Sequence, residues 1–155
     1  MKYTDIENKI IDLFEKTKFC VLATADKNGI VSASQVCLVN NGLKLFFQTD
    51  KNFEKVKNIS ENQNVAINIG AYYFKGKASF AGHPSLNDWF IEKIKAKHPE
   101  TYKSYTNLPN EILIEVELFE AKIWGGGSSD IHNQEIMLVA DLKNKVMKEI
   151  ICDKM

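Results

Sequence analysis

The chain has 155 residues, 45% hydrophobic and 26% charged, with twenty basic and twenty acidic side chains and a formal net charge of zero. That size and mix suit a single globular domain spanning 1–155 and exclude a disordered or fibrous chain. A neutral chain with pI ≈ 6.8 has no global field to draw in nucleic acid or an anionic membrane, so neither is an expected partner.

Every basic residue is a lysine, because arginine is absent. Any phosphate must then be held by ammonium groups, hydroxyls and backbone N–H rather than by a planar fork. Cys20, Cys37 and Cys152 are odd in number and widely spaced, which argues against a disulfide framework or a zinc knuckle. No signal-peptide core and no apolar run of about 20 residues is present, so a reduced, cytoplasmic setting is the expectation.

Thr4-Asp5-Ile6-Glu7 has the capping-box pattern, and Ile6, Ile10, Leu13 and Phe14 share one helical face, predicting a helix from about Asp5 to Lys16. Phe19 to Ala25 and Ile30 to Leu38 read as strands about Asp26-Lys27-Asn28-Gly29. Asn40-Asn41-Gly42 turns the chain into a third, Leu43 to Thr49, giving an antiparallel meander. The first hairpin is built of small or hydroxylated residues, Ala23, Thr24, Ala25, Ser32, Ala33 and Ser34, an odd composition for a core hairpin.

From Asn52, read as an N-cap, the period changes: Phe53, Val56 and Ile59 are spaced for a helix. Val65 to Tyr73 and Lys75 to Ala81 return to strand character, and Ser85 to Lys97, bracketed by Pro84 and Pro99, reads as a longer helix. Leu113 to Trp124 alternates as a long strand, Gly125 to Ser129 interrupts it, and Glu135 to Ala140 follows as another. Six or seven strands joined by hairpins, with two or three helices, predict a mainly β, antiparallel barrel with peripheral helices.

The segment from Phe46 to Lys55 runs a strand end into a helix start. Free N–H groups at the helix terminus, the Thr49 hydroxyl and the Lys55 ammonium could together hold an anion, and Asn52 at that terminus is counted among the expected cofactor-binding residues. His83, His98 and His132 are not spaced as metal ligands, and no metal site is expected.

Three stretches, "VLATADKNGIVSASQVCLV", "LFFQTDKNFEKVKNISENQNVAINI" and "IWGGGSSDIH", resemble the pyridoxamine 5′-phosphate oxidase-like, FMN-binding split-barrel superfamily. The resemblance implies an FMN-binding split barrel, a homodimer with the flavin at its interface, and oxidoreductase chemistry with NADH or NADPH as a possible donor. It places Thr49 and Lys55 at the flavin phosphate, Phe47 and Gln48 along the cofactor, Ser34, Gln35 and Val36 beneath it, and Trp124 within reach of it.

Two departures narrow the expectation. Phe53-Glu54 stands where the oxidase has a serine-arginine pair, with Lys51 or Lys57 as possible helpers. Asp130, His132 and Gln134 stand in place of its arginine-x-histidine-x-arginine substrate cluster. An aspartate there would repel a phosphorylated substrate, so pyridoxamine phosphate is not the expected one. The chain is more similar to the small general stress protein and nitroimidazole-resistance-like members. The alternative is a non-catalytic module in stress response for flavin or another planar cofactor such as haem or deazaflavin.

Overall fold

A computed structural model describes residues 2–125 and 136–151. Helix α1 (Tyr3–Lys16) leads into strands β1 (Phe19–Ala25), β2 (Val31–Cys37), β3 (Val39–Asn41) and β4 (Lys44–Asp50). Helix α2 (Glu54–Glu61), strands β5 (Asn64–Ile69) and β6 (Tyr72–Phe80), and helix α3 (Asp88–Lys97) follow. Strands β7 (Glu111–Trp124), β8 (Ile136–Asp141) and β9 (Val146–Ile151) complete the described chain.

All pairings are antiparallel, in the order β2-β1-β5-β6-β7-β4-β3, with β8 and β9 added beside β7. The sheet curls into a half-barrel flanked by helices, as expected of a split barrel. No helix among the described residues is long and apolar enough to cross a membrane.

The predicted three-strand meander is corrected. β1 and β2 form one hairpin and β3 and β4 another, and these hairpins end at opposite extremes of the sheet. The cause is Leu38, fully buried, whose N–H donates to the Lys18 carbonyl at 2.9 Å and whose carbonyl accepts from His98 Nε2 at 3.0 Å. Held on both sides, it separates β2 from β3, and β2 comes to lie near β4 without a ladder between them.

β7 is the spine. On one edge it pairs with β6; on the other it pairs with β4 through Glu117 and with β8 from Glu120 onward. Where partners change, Lys75 and Gly76 face Glu120 and Leu118, leaving Phe119 as a bulge.

Gly76 is required there, since a Cβ would stand 2.7 Å from Val116 Cγ1 and 2.8 Å from the Glu117 carbonyl oxygen. The main core gathers Ile6, Ile10 and Phe14 of α1 against inward residues such as Leu22, Phe47, Phe74 and Val116. A second cluster, including Val39, Phe46, Phe90, Ile94 and Leu113, lies under α3, so β4 buries both faces.

Helix and strand ends also moved. α1 begins at Tyr3 because the Lys2 N–H, rather than a Thr4 cap, is taken by Asp5 Oδ2 at 2.9 Å. α3 begins at Asp88, capped by Asn87, after a 3-10 turn over Pro84–Leu86. Pro99 opens a further turn, Pro99–Thr101, that runs on through a π-turn, Tyr102–Thr106. The β8–β9 hairpin extends the sheet beyond the predicted last strand at Ala140.

Gly76→Ala should lower stability by about 1–3 kcal/mol, because backbone on one side of the new methyl cannot yield; thermal unfolding would show it. Burial holds His98 below the ordinary histidine value, its bond to Leu38 offsetting only part of that. A depressed histidine contributes stability above its unfolded value and loses it as pH falls through the folded one. Unfolding temperature should therefore drop as pH falls below about 6.5, and His98→Gln should flatten that dependence.

Candidate functional site

The gap between β2 and β4 is a cavity of about 250 Å³. Gln35, Val36 and Cys37 line it from β2, and Gln48, Thr49 and Asp50 from β4. Phe53 and Lys55 come from the start of α2, Thr101 and Tyr105 from the turns after Pro99, and Glu111 from the start of β7. Five predicted site residues thus meet: Gln35, Val36, Gln48, Thr49 and Lys55.

The strand-to-helix junction is tighter than expected. Asp50 Oδ1 accepts the Asn52 N–H at 2.8 Å and the Asp50 carbonyl accepts the Phe53 N–H at 3.0 Å, so the chain turns and α2 starts at Glu54. The N-cap is therefore Phe53, without a side-chain cap bond, and Asn52 is exposed outside the cavity. This corrects the reading of Asn52 as the cap.

Two contacts fix α2 to the first hairpin. Buried Asn58 donates to Thr24 Oγ1 at 3.0 Å, and Glu61 Oε2 accepts the Lys27 N–H at 3.1 Å. The hydroxyl in the small-residue hairpin is thus a docking point for the helix that carries Lys55.

Lys55 is half-buried and forms no ion pair among the described residues; its Nζ lies 5.2 Å from the Phe53 ring centroid. Burial lowers its proton affinity. Thr49, only 7% exposed, keeps its hydroxyl free of partners within the described residues. Gln48 is oriented by Thr106, whose hydroxyl donates to Gln48 Oε1 at 2.8 Å. An uncompensated ammonium, a free hydroxyl and a helix terminus form a set suited to one phosphate.

The other predicted residues lie elsewhere in this copy. The Phe47 side chain is 1% exposed in the main core, and Phe47 is not among the residues that line the cavity. Ser34 sits opposite Leu22 in mid-strand, outside the cavity lining. Trp124 ends β7, about 40 Å along the strand from Glu111. It cannot reach this cavity along that strand, and its backbone N–H donates to the Ala71 carbonyl at 2.9 Å. The Gly126–Ser129 stretch, Asp130, His132 and Gln134 lie outside the described residues.

Cys37, Asp50, Phe53, Thr101, Tyr105 and Glu111 line the cavity without having been foreseen as site residues. The adjacency of Asp50 to Thr49 is a signal that points to it. Thr101 and Tyr105 follow Pro99, which brackets the predicted helix, and proline at the first position of a helix is also a start signal.

Comparison with known proteins agrees with the fold. The chain belongs to the pyridoxamine 5′-phosphate oxidase family, whose profile matches residues 6–125. It is 27% identical over 136 residues to general stress protein 26 of Bacillus subtilis, covering 82% of this chain and 94% of that one.

The crystal structure of general stress protein 26 from Bacillus anthracis shares the fold, with TM-score 0.62, 19% identity, and coverage of 75% of this chain and 91% of that one. The heme storage protein HutZ from Vibrio cholerae has TM-score 0.62 and 19% identity, over 76% of this chain and 91% of that one.

Asn58→Ala strands the buried Thr24 hydroxyl and loosens α2. It should cost about 1–3 kcal/mol and increase amide hydrogen exchange selectively in α2.

Proposed function

We propose that this protein is an FMN-binding member of the family and a flavin-dependent oxidoreductase acting as a homodimer. The observation that carries the reading is the half-buried Lys55 ammonium, unpaired by any described carboxylate, beside the free Thr49 hydroxyl and the start of α2. Thr49, Lys55 and the first-turn N–H groups would hold the phosphate. Gln35, Val36 and Gln48 would border the ring system.

FMN supplies hydride chemistry when bound, with NADH or NADPH as donor. The chain's own part is to hold the phosphate, fix Gln48 through Thr106, and exclude water from the seam.

Two features support a dimer. The cavity in one copy falls below the roughly 300–1,000 Å³ of sites that enclose such ligands, so a second surface would complete it. The outer face of β1 and β2 exposes Phe19, Val21 and Val31 around Ala23, Ala25 and Ala33, an apolar sheet face fit for a partner copy. In such a dimer Trp124, remote within its own chain, would serve the other copy's site.

The likeness to a heme storage protein makes haem the rival ligand. Neither described histidine suits it: His83 has both ring nitrogens hydrogen bonded, His98 is buried against Leu38, and neither lines the cavity.

FMN should bind at micromolar concentration to a dimeric protein, and be reduced by NADH or NADPH. Lys55→Ala should weaken FMN about tenfold or more, the loss of a charged hydrogen bond, while riboflavin affinity stays unchanged. Haem uptake without FMN uptake would reverse the assignment, and a monomer by light scattering would remove the shared site.

A further inference from the structure

Glu111 is the unexpected member of the cavity. It is 8% exposed, yet its carboxyl makes no hydrogen bond or ion pair among the described residues. It stands in register opposite Asp50 across the β4–β7 ladder, so two carboxyl groups share one wall of the cavity while Lys55 supplies the cation from α2. With both acids ionised the site would carry a net negative charge, a poor receptor for phosphate.

We propose that Glu111 is a proton-carrying ligand of the phosphate, its acid form donating a hydrogen bond to the anion that Lys55 attracts, so that anion and proton enter together. The inference rests on the FMN reading above. It assigns to a carboxylic acid part of the donor role that arginine cannot take in this chain.

The groups facing Glu111 favour this form. Burial raises its proton affinity first and the Asp50 carboxylate raises it further, while His83, near the 3-10 turn, works against them. Lys55 from α2, Tyr105 from the π-turn and Cys37 from β2 are the remaining titratable neighbours in the cavity. An incoming phosphate adds negative charge beside the carboxyl and tightens its proton again. Affinity is therefore highest with Glu111 protonated and declines as pH rises through its raised value.

The test compares FMN binding to native protein and Glu111→Gln between about pH 5 and pH 8, with protons counted by calorimetry in two buffers of different ionisation enthalpy. The ratio of the two proteins cancels the titration of the phosphate itself. Native affinity should fall relative to Glu111→Gln by up to about tenfold per pH unit above the Glu111 value, with proton uptake that the variant lacks.

Asp50→Asn should move the fall to lower pH. Parallel profiles with equal proton uptake, or an unmoved fall in Asp50→Asn, overturn the proposal and leave FMN binding standing. Failure of the native protein to bind FMN at any of these pH values overturns both.

Discussion

The grip on Leu38 is the constraint from which the site follows. A chain that had continued smoothly from β2 into the next hairpin would have laid its strands side by side and closed the sheet with a ladder. Instead Lys18 takes the Leu38 N–H and His98 donates to its carbonyl, so the backbone is satisfied outside the sheet at the point where it changes direction. Both groups are buried, and a buried backbone polar group without a partner is costly. The bend is thereby fixed, and β2 and β4 face each other across a gap instead of pairing.

The rest of the fold accommodates that gap. β7 carries β6 along one edge and divides the other between β4 and β8, changing partner at the Phe119 bulge. Only glycine at position 76 lets β6 approach the bulged strand closely. Burying β4 on both faces, Phe47 inward and Phe46 under α3, holds one lip of the gap rigid. The other lip is steadied through β1, whose Thr24 docks Asn58 of α2. The cavity is therefore bounded by well-packed elements, with Lys55 positioned by a helix pinned at its far end.

What could be read in the sequence was what local pattern encodes. The helical stripe of Ile6, Ile10 and Phe14, the hairpin turns at Gly29 and Gly42, and the strand-to-helix junction at Thr49 all rest on neighbours within a few residues, and all are found. The meander failed because three adjacent strands look alike whether or not the third pairs with the second. The decision lies with His98, sixty residues beyond Leu38.

Glu111 was hidden for a related reason: one acid at the head of an apolar strand reads as a solvated end. Only the register opposite Asp50 reveals that it is enclosed. The small residues of the first hairpin have two tasks, since Thr24 holds the helix while Ala23, Ala25 and Ala33 shape the outer face.

The absence of arginine ties these observations together. A guanidinium stays charged whatever surrounds it and can hold phosphate against nearby acids, whereas a lysine loses proton affinity when half-buried, as Lys55 does. A lone lysine beside two ionised carboxylates would leave a bound phosphate under-compensated. Burying one of those carboxyls without a partner turns the difficulty around, because the energetic penalty falls on the charged form and the neutral acid becomes a donor. The same desolvation that weakens Lys55 favours the acid form of Glu111, the form able to donate to an anion, and both effects come from the enclosure that the Leu38 bend creates.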